Sequence, residues 1–335
     1  MVSYAFAPSI GGVETASQIL AEELYRRGHE VVVATATRSD WSAKFAFPVY
    51  YRPSPLQLLT LHRWADTVLH NSISLRFAWP LLAIRRPWMI VHTGFRSHNA
   101  MHSLAMRIAR NVSVSQVLAD HLGVPASVVP NAYQSNLFRR IGASPRPFAF
   151  GFLGRLVSDK GAHHLIEALA KLCDDRHLLR LAIIGGGPEE ERLRLQVKAS
   201  GLDCHVHFLG AQRGEELVQV LNDIDCLVVP TVIPEGFGIV ALEGIACGCV
   251  VIGSQGGGLK EAIGPCGLTY PNGDVAALAA AMRRVLEEPG LADRLRAQAP
   301  AHLARHTPQA VVDAYLQVID QALAGRTVHG RPPLG

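Results

Sequence analysis

Cys226-Leu227-Val228-Val229-Pro230-Thr231-Val232-Ile233-Pro234-Glu235-Gly236-Phe237-Gly238-Ile239-Val240-Ala241-Leu242-Glu243-Gly244 is the stretch from which the fold can be read. Its first five residues form an apolar run of the kind that makes a buried strand. Pro234, Gly236 and Gly238 then turn the chain, and Gly238 to Ala246 reads as a helix start with Glu243 one to two turns inside it. A strand, a Gly-rich turn and a helix N-terminus make an anion site, because unpaired N–H groups and the helix dipole converge there. The turn also carries a carboxylate, which phosphate would repel. Glu235 therefore suits hydroxyl donors, as a sugar presents, and Glu243 can take a second pair, for example from a ribose. The plainer alternative is a solvated loop Glu and a helix-surface Glu.

The same strand-turn-helix alternation recurs along the chain. Val2 to Ala7 reads as a strand, followed by the loop Pro8 to Glu14 with Gly11 and Gly12, and by a helix with Ala16, Ile19, Leu20 and Leu24 at helical spacing. Gly28 ends it and Val31 to Thr35 is the next strand. The glycine pair is a weak echo of a dinucleotide turn without the G-x-G-x-x-G spacing. Residues 38–62, with Pro48, Pro53 and Pro55, read as irregular. Thr67–His70, Trp88–Val91 and Asn111–Ser115 read as strands, with helix Gln116–Leu122 after the last.

His92 stands at a strand's C-terminal end before Gly94, where open α/β sheets bind ligands, although a single His is more often structural. His98 and His102 are four residues apart, but no Cys or carboxylate joins them, so no metal is expected. Arg139 to Pro147, with Gly142, Pro145 and Pro147, reads as a linker.

The alternation then restarts. Phe148 to Leu153 is a strand ending in Gly154-Arg155-Leu156-Val157-Ser158-Asp159-Lys160-Gly161, and helix 162–173 follows. Arg155 and Lys160 flank a strand end and a helix start, where a diphosphate would dock. Arg can clamp phosphate in bidentate fashion and Lys acts as a point charge. Strands follow at Leu181–Ile184, Val206–Leu209 and Val250–Ile252, helices at Glu189–Ala199 and Val275–Leu286, and an amphipathic helix at Pro308–Leu323. Asn272-Gly273-Asp274 caps the helix at Val275.

Composition agrees with two globular domains. There are 335 residues, 49% hydrophobic and 18% charged. No run approaches the ~18 apolar residues of a membrane span, and Met1 to Tyr4, with no basic residue and Pro8 close behind, is not expected to be a signal peptide. The six cysteines fit neither a zinc site nor a CxxC pair and are expected to be reduced thiols. Residues 1–140 hold 14 Lys and Arg against 7 Asp and Glu, whereas 141–335 hold 18 against 21.

The Pro234–Gly244 string resembles the two-glutamate motif of the retaining glycosyltransferases of family 4, which have the two-domain GT-B fold. Pro, both Gly and both Glu coincide. The likeness extends over about residues 8–323. It implies α/β architecture with two Rossmann-like domains facing each other across a cleft: 1–140 for the acceptor, 141–307 for the nucleotide sugar, helix 308–324 crossing back to the first domain, and a tail 325–335 expected to be disordered.

In that family the first Glu contacts the donor sugar and the second contacts the ribose, which assigns those roles to Glu235 and Glu243 with Gly236, Phe237, Gly238 and Ile239 between them. Arg155 and Lys160 match the cations that neutralise the donor diphosphate. Gly11 and Gly12 match the loop near the phosphates, Gly210 the backbone beside the base, and His92 a residue near the donor sugar. At its start the chain departs from the pattern, since family members open with several more strand residues. Either the start codon is misassigned or the first strand is clipped, which bears on the stability of the first domain.

The resemblance implies metal-independent transfer from a nucleotide-sugar donor, UDP favoured over GDP, to a glycan or lipid-linked acceptor, with no cofactor and no nucleic-acid partner. Asp223-Ile224-Asp225 spells the D-x-D of metal-dependent transferases but precedes its strand, at the wrong end for ligand binding. A catalytically inactive sugar-nucleotide-binding module and other GT-B enzymes, a nucleotide-sugar epimerase or a phosphorylase, are the alternatives. None of the five lysines has a context suited to the pyridoxal phosphate of a phosphorylase.

Arg63, Arg76, Arg85, Arg86, Arg96, Arg107 and Arg110, interleaved with Trp64, Phe77, Trp79, Leu81, Leu82 and Trp88, suit an anionic membrane surface. The expected location is cytoplasmic, peripheral on the inner face of the plasma membrane.

Overall fold

The computed structural model describes residues 1–9, 11–38, 45–72, 74–95, 99–142, 145–173 and 179–324. His98, Arg96 and the tail 325–335 lie outside the described residues.

The chain forms two compact units, one of Met1–Ala132 with the segment from Thr307 onward, the other Tyr133–His306. The sequence places the boundary later, at 140. The segment expected to be a linker is instead tied to the second unit. Arg139 pairs with Glu215 at 3.0 Å, the Ile141 amide donates to Asn222 Oδ1 at 2.7 Å, and Arg146 donates to the Cys247 carbonyl at 2.9 Å.

The first unit holds a parallel sheet of β1 (Val2–Ser3), β2 (Val33–Thr35), β3 (Val49–Tyr51), β4 (Val68–Asn71), β5 (Trp88–His92), β6 (Arg110–Ser113) and β7 (Ala126–Val128), in the order β3-β2-β1-β4-β5-β6-β7. β1 stops at Ser3, short of the expected Ala7, because the chain leaves the ladder. The Ser3 hydroxyl turns to the Ala5 carbonyl at 2.6 Å, and the Phe6 amide donates to Thr37 Oγ1 at 3.0 Å.

Of the stretch 38–62, expected to be irregular, residues 39–44 lie outside the described residues and the reading of the rest is corrected. It holds β3 and the helix Pro55–Trp64, whose N-cap Ser54 and Gln57 exchange both bonds of a capping box while Pro55 takes the first helical position. Leu58 and Leu61 of that helix pack with Val2, Val32 and Val68.

Helix Pro308–Leu323 also belongs to this unit. It packs on helix Gly12–Arg26, with Arg27 paired to Asp313 and donating to the Gln309 carbonyl at 2.8 Å.

The second unit holds β8 (Phe148–Leu153), β9 (Leu181–Ile184), β10 (Val206–Gly210), β11 (Ile224–Val229), β12 (Val250–Ser254) and β13 (Gly267–Tyr270), all parallel, in the order β10-β9-β8-β11-β12-β13. Their near-continuous apolar runs are what a sheet covered on both faces requires. Phe150, Phe152, Cys226, Val228, Val250 and Ile252 are buried with Leu165, Leu169, Leu278 and Met282 from the flanking helices. The strand order reverses between β8 and β11, and loops leaving the carboxyl ends of two such strands diverge to open a binding crevice.

Candidate active site

The loops after β8 and β11 start level, because Phe152 pairs with Val228 in register. From β8 the chain runs through exposed Arg155 and a single 3-10 turn, Ser158–Lys160. Gly161 follows at φ 70°, and a Cβ there would stand 1.9 Å from the Pro230 carbonyl oxygen. Only glycine lets this turn lie against the end of β11. The Asp159 carbonyl fastens the contact by accepting from the Val232 amide at 2.9 Å and from the buried Thr231 hydroxyl at 3.0 Å.

The turn after β11 is held from its other side by the loop after β12. The Glu235 carbonyl accepts from the Gly258 amide at 2.8 Å, and Asn272 Oδ1 accepts from the Gly256 amide at 2.6 Å. The Asn272 amide nitrogen reaches the carbonyls of Thr231 and Val232 at 3.3 and 3.4 Å. The sequence expects Asn272 to help cap the next helix. The cap is Asp274, which accepts from Ala277 at 2.8 Å, and Asn272 braces the site instead. Neither Thr231 nor Asn272 carries a signal of that role in the sequence.

The outcome is that Lys160 Nζ pairs with Glu235 Oε1, both side chains half-buried, at the point of strand-order reversal. Among the described residues the Arg155 guanidinium has no side-chain partner. The loop after β8 thus carries an exposed cation, Arg155, and a second, Lys160, that is paired with the carboxylate of the loop after β11.

Gly238 caps helix Ile239–Ala246 at φ 96°. Within that helix burial pushes the Glu243 carboxyl up to about 7. Phe237 lies between the two glutamates in sequence, yet its ring is buried, 5.6 Å centre to centre from His306, which in turn stands 4.9 Å from His302. The Phe237 side chain is therefore an anchor of the turn. The Ile239 side chain is buried as well. Gly210 closes β10, its carbonyl accepting from the Gly185 amide at 2.8 Å.

Asp223 and Asp225 sit at the opposite, N-terminal end of β11. Asp225 is paired with Arg296, and the Asp223 carbonyl accepts from Phe148 at 3.1 Å.

In the first unit His92 ends β5 and is buried. Its Nε2 bonds to Asn111 Oδ1 at 3.0 Å. Because the Asn111 amide nitrogen donates to the Met106 carbonyl at 2.8 Å, its oxygen faces His92, and Nε2 carries the proton. Gly11 caps helix Gly12–Arg26, its carbonyl accepting from Thr15 at 3.0 Å.

The family described as glycosyl transferases group 1 matches residues 134–302, just over half of the chain. The D-inositol 3-phosphate glycosyltransferase of Corynebacterium jeikeium (strain K411) is 34% identical over 192 residues, which are 55% of this chain and 46% of that protein. The glycogen synthase of Mycobacterium tuberculosis (strain ATCC 25618 / H37Rv) is 38% identical over 145 residues, 43% of this chain and 35% of that protein. The matched region is thus less than half the length of either relative. Among solved structures, Anabaena Alr3699/HepE in complex with UDP superposes with a TM-score of 0.81 at 21% identity, over 96% of this chain and 98% of that one. A glycosyltransferase from Rickettsia africae ESF-5 gives 0.81 at 16%, over 97% and 98%. These likenesses extend the GT-B-type architecture of two Rossmann-like sheets over nearly the whole chain.

Proposed function

The chain belongs to the group 1 glycosyl transferases, and on that footing we propose that it moves a hexosyl group from a nucleotide sugar, a UDP-sugar first, to a glycan or lipid-linked acceptor with retention at the anomeric carbon. The observation that carries this reading is the Lys160–Glu235 juxtaposition at the reversal of strand order, with Arg155 on the same loop as Lys160. The bond from the anomeric carbon to the diphosphate oxygen breaks, and negative charge grows on the departing diphosphate. Arg155 and Lys160 stabilise that charge more in the transition state than in the ground state, which is what accelerates a reaction. Glu235 orients the sugar hydroxyls, and Glu243 takes the ribose. The acceptor hydroxyl attacks from the face the diphosphate leaves, and a phosphate oxygen accepts its proton. UDP in the HepE structure supports a uridine donor.

On the acceptor side the reading includes contact with an anionic membrane surface. Arg63, Arg76, Arg85, Arg107 and Arg110 are exposed, as are Trp79, Leu82 and, on one face of helix Ala100–Ile108, Met101, Leu104 and Ile108. Phe77 is corrected out of this set, since it is buried in the core, and Trp88 donates to His70 Nδ1 at 2.7 Å. No helix among the described residues is long and apolar enough to cross a membrane.

The test is a panel of UDP- and GDP-sugars assayed for release of nucleoside diphosphate with and without acceptor glycans. Turnover with one donor, reduced ~10²-fold or more in Glu235→Gln, is the expected result. Absence of binding to every donor in the panel, or full turnover in that variant at saturating donor, would overturn the assignment.

A further inference from the structure

The pairing of Lys160 with Glu235 bears on which ligand the site prefers. Lys160 is the cation a diphosphate needs, and it is paired with a carboxylate. The two residues are far apart in sequence and come together through built features: Gly161 beneath the Pro230 carbonyl, Asp159 bonded to Thr231 and Val232, and Glu235 strapped between Gly256 and Gly258. Arg155, exposed and without a side-chain partner among the described residues, is under no such restraint.

We infer that Glu235 sets the preference for a whole sugar nucleotide over the bare nucleoside diphosphate, by occupying Lys160 until a ligand arrives that replaces both halves of the pair. This rests on the donor-site reading above. A bare diphosphate that recruits Lys160 strips Glu235 of its partner and leaves a half-buried carboxylate beside phosphate, which is unfavourable. A sugar nucleotide gives Lys160 its phosphate and gives Glu235 the sugar hydroxyls, so both charges stay satisfied. Once the sugar has been transferred, Glu235 regains Lys160 and the nucleoside diphosphate is left to Arg155. The same carboxylate thus favours entry of substrate and exit of product.

Removing the charge of a residue that contacts the donor should tighten binding of one ligand while weakening another. Calorimetry with UDP, GDP, UDP-glucose and GDP-mannose, on wild type, Glu235→Gln, Lys160→Ala and the double variant, reads it. The expected result is that Glu235→Gln binds the preferred bare diphosphate about fivefold more tightly, the factor for an ion pair worth ~1 kcal/mol, and binds its sugar nucleotide more weakly. In the Lys160→Ala background the gain for the bare diphosphate disappears.

Melting curves establish that each variant is folded, and Arg155→Ala, which weakens both ligand classes alike, serves as the contrast. An unchanged or weaker affinity of Glu235→Gln for the bare diphosphate would overturn the inference. So would an equal gain in the Lys160→Ala background, because the carboxylate would then act on phosphate by repulsion alone. A wild type that binds none of the four ligands overturns the donor-site reading instead.

Discussion

A Cβ on Gly257 would stand 2.1 Å from the carbonyl oxygen of Glu235, and Gly257 holds φ at +77°. The loop after β12 therefore presses on the turn after β11 as closely as a bare backbone allows. Gly257→Ala should move Glu235 without emptying the site of any side chain. Backbone strain of this kind costs ~1–3 kcal/mol, and displacing a positioning residue by an ångström is worth roughly a hundredfold in rate. We expect a melting temperature a few degrees lower and a kcat reduced roughly tenfold to a hundredfold. A variant with wild-type kcat would show that the position of Glu235 is not set by this contact.

Glu243 gives a pH dependence with a definite sign. Its carboxyl is raised to about 7 by burial. Between the ordinary value near 4.5 and 7 the folded protein holds a proton that the unfolded chain has released, so stability falls as pH rises through that window. Glu243→Gln should flatten the fall, being nearly neutral at pH 5 and stabilising at pH 8. Ribose hydroxyls donating to the carboxylate favour its charged form, so affinity for UDP-glucose should rise from pH 6 to pH 8 in wild type and stay level in the variant. Thermal melts and calorimetry across pH measure both, and identical profiles for the two proteins would remove Glu243 from the nucleotide contact.

Asp225 is engaged by Arg296 at the N-terminal end of β11, away from the crevice. Transfer should continue in excess EDTA, and Asp225→Asn should lower the melting temperature while leaving kcat within about twofold, as expected of a contact that acts on stability alone. Loss of activity on chelation, restored by Mn²⁺ or Mg²⁺, would return Asp223 and Asp225 to the reaction.

For the first unit the measurement is co-sedimentation with vesicles. Binding should appear with anionic lipid at low salt and weaken at high salt, each cation near the headgroups contributing ~1 kcal/mol. Replacing Arg76, Arg85 and Arg107 with Glu should abolish it, and replacing Leu82 and Leu104 with Ser should weaken it. Absence of binding at both salt levels, or binding indifferent to lipid charge, would make the acceptor a soluble one.

Period and punctuation were enough to read most of the framework from the sequence. Apolar runs closed by Gly mark β8 and β9 to the residue, and the 3.6-residue repeat marks helix Pro308–Leu323. Proline is the misleading signal, since it breaks some helices and opens others. Pro55 stands at the first helical position behind Ser54, where its missing N–H costs nothing, and Ser54 with Gln57 was a capping box in plain view.

In the site, glycines and charges at strand ends were legible because such positions are local. The pairing of Lys160 with Glu235 was not, since only the parallel register of β8 and β11 brings them together. Phe237 shows the same limit from the other direction. Its place in the string points to the ligand, and its ring goes to His306.

The second unit is one uninterrupted segment, whereas the first is completed only by helix Pro308–Leu323. During synthesis the second unit is therefore complete in the chain before the first is, the reverse of the usual N-terminal-first order. All of Tyr133–His306 is synthesised before the partner of helix Gly12–Arg26 exists. A nonsense codon within helix Pro308–Leu323 therefore damages the first unit, and the segment it spares is the one that bears both glutamates.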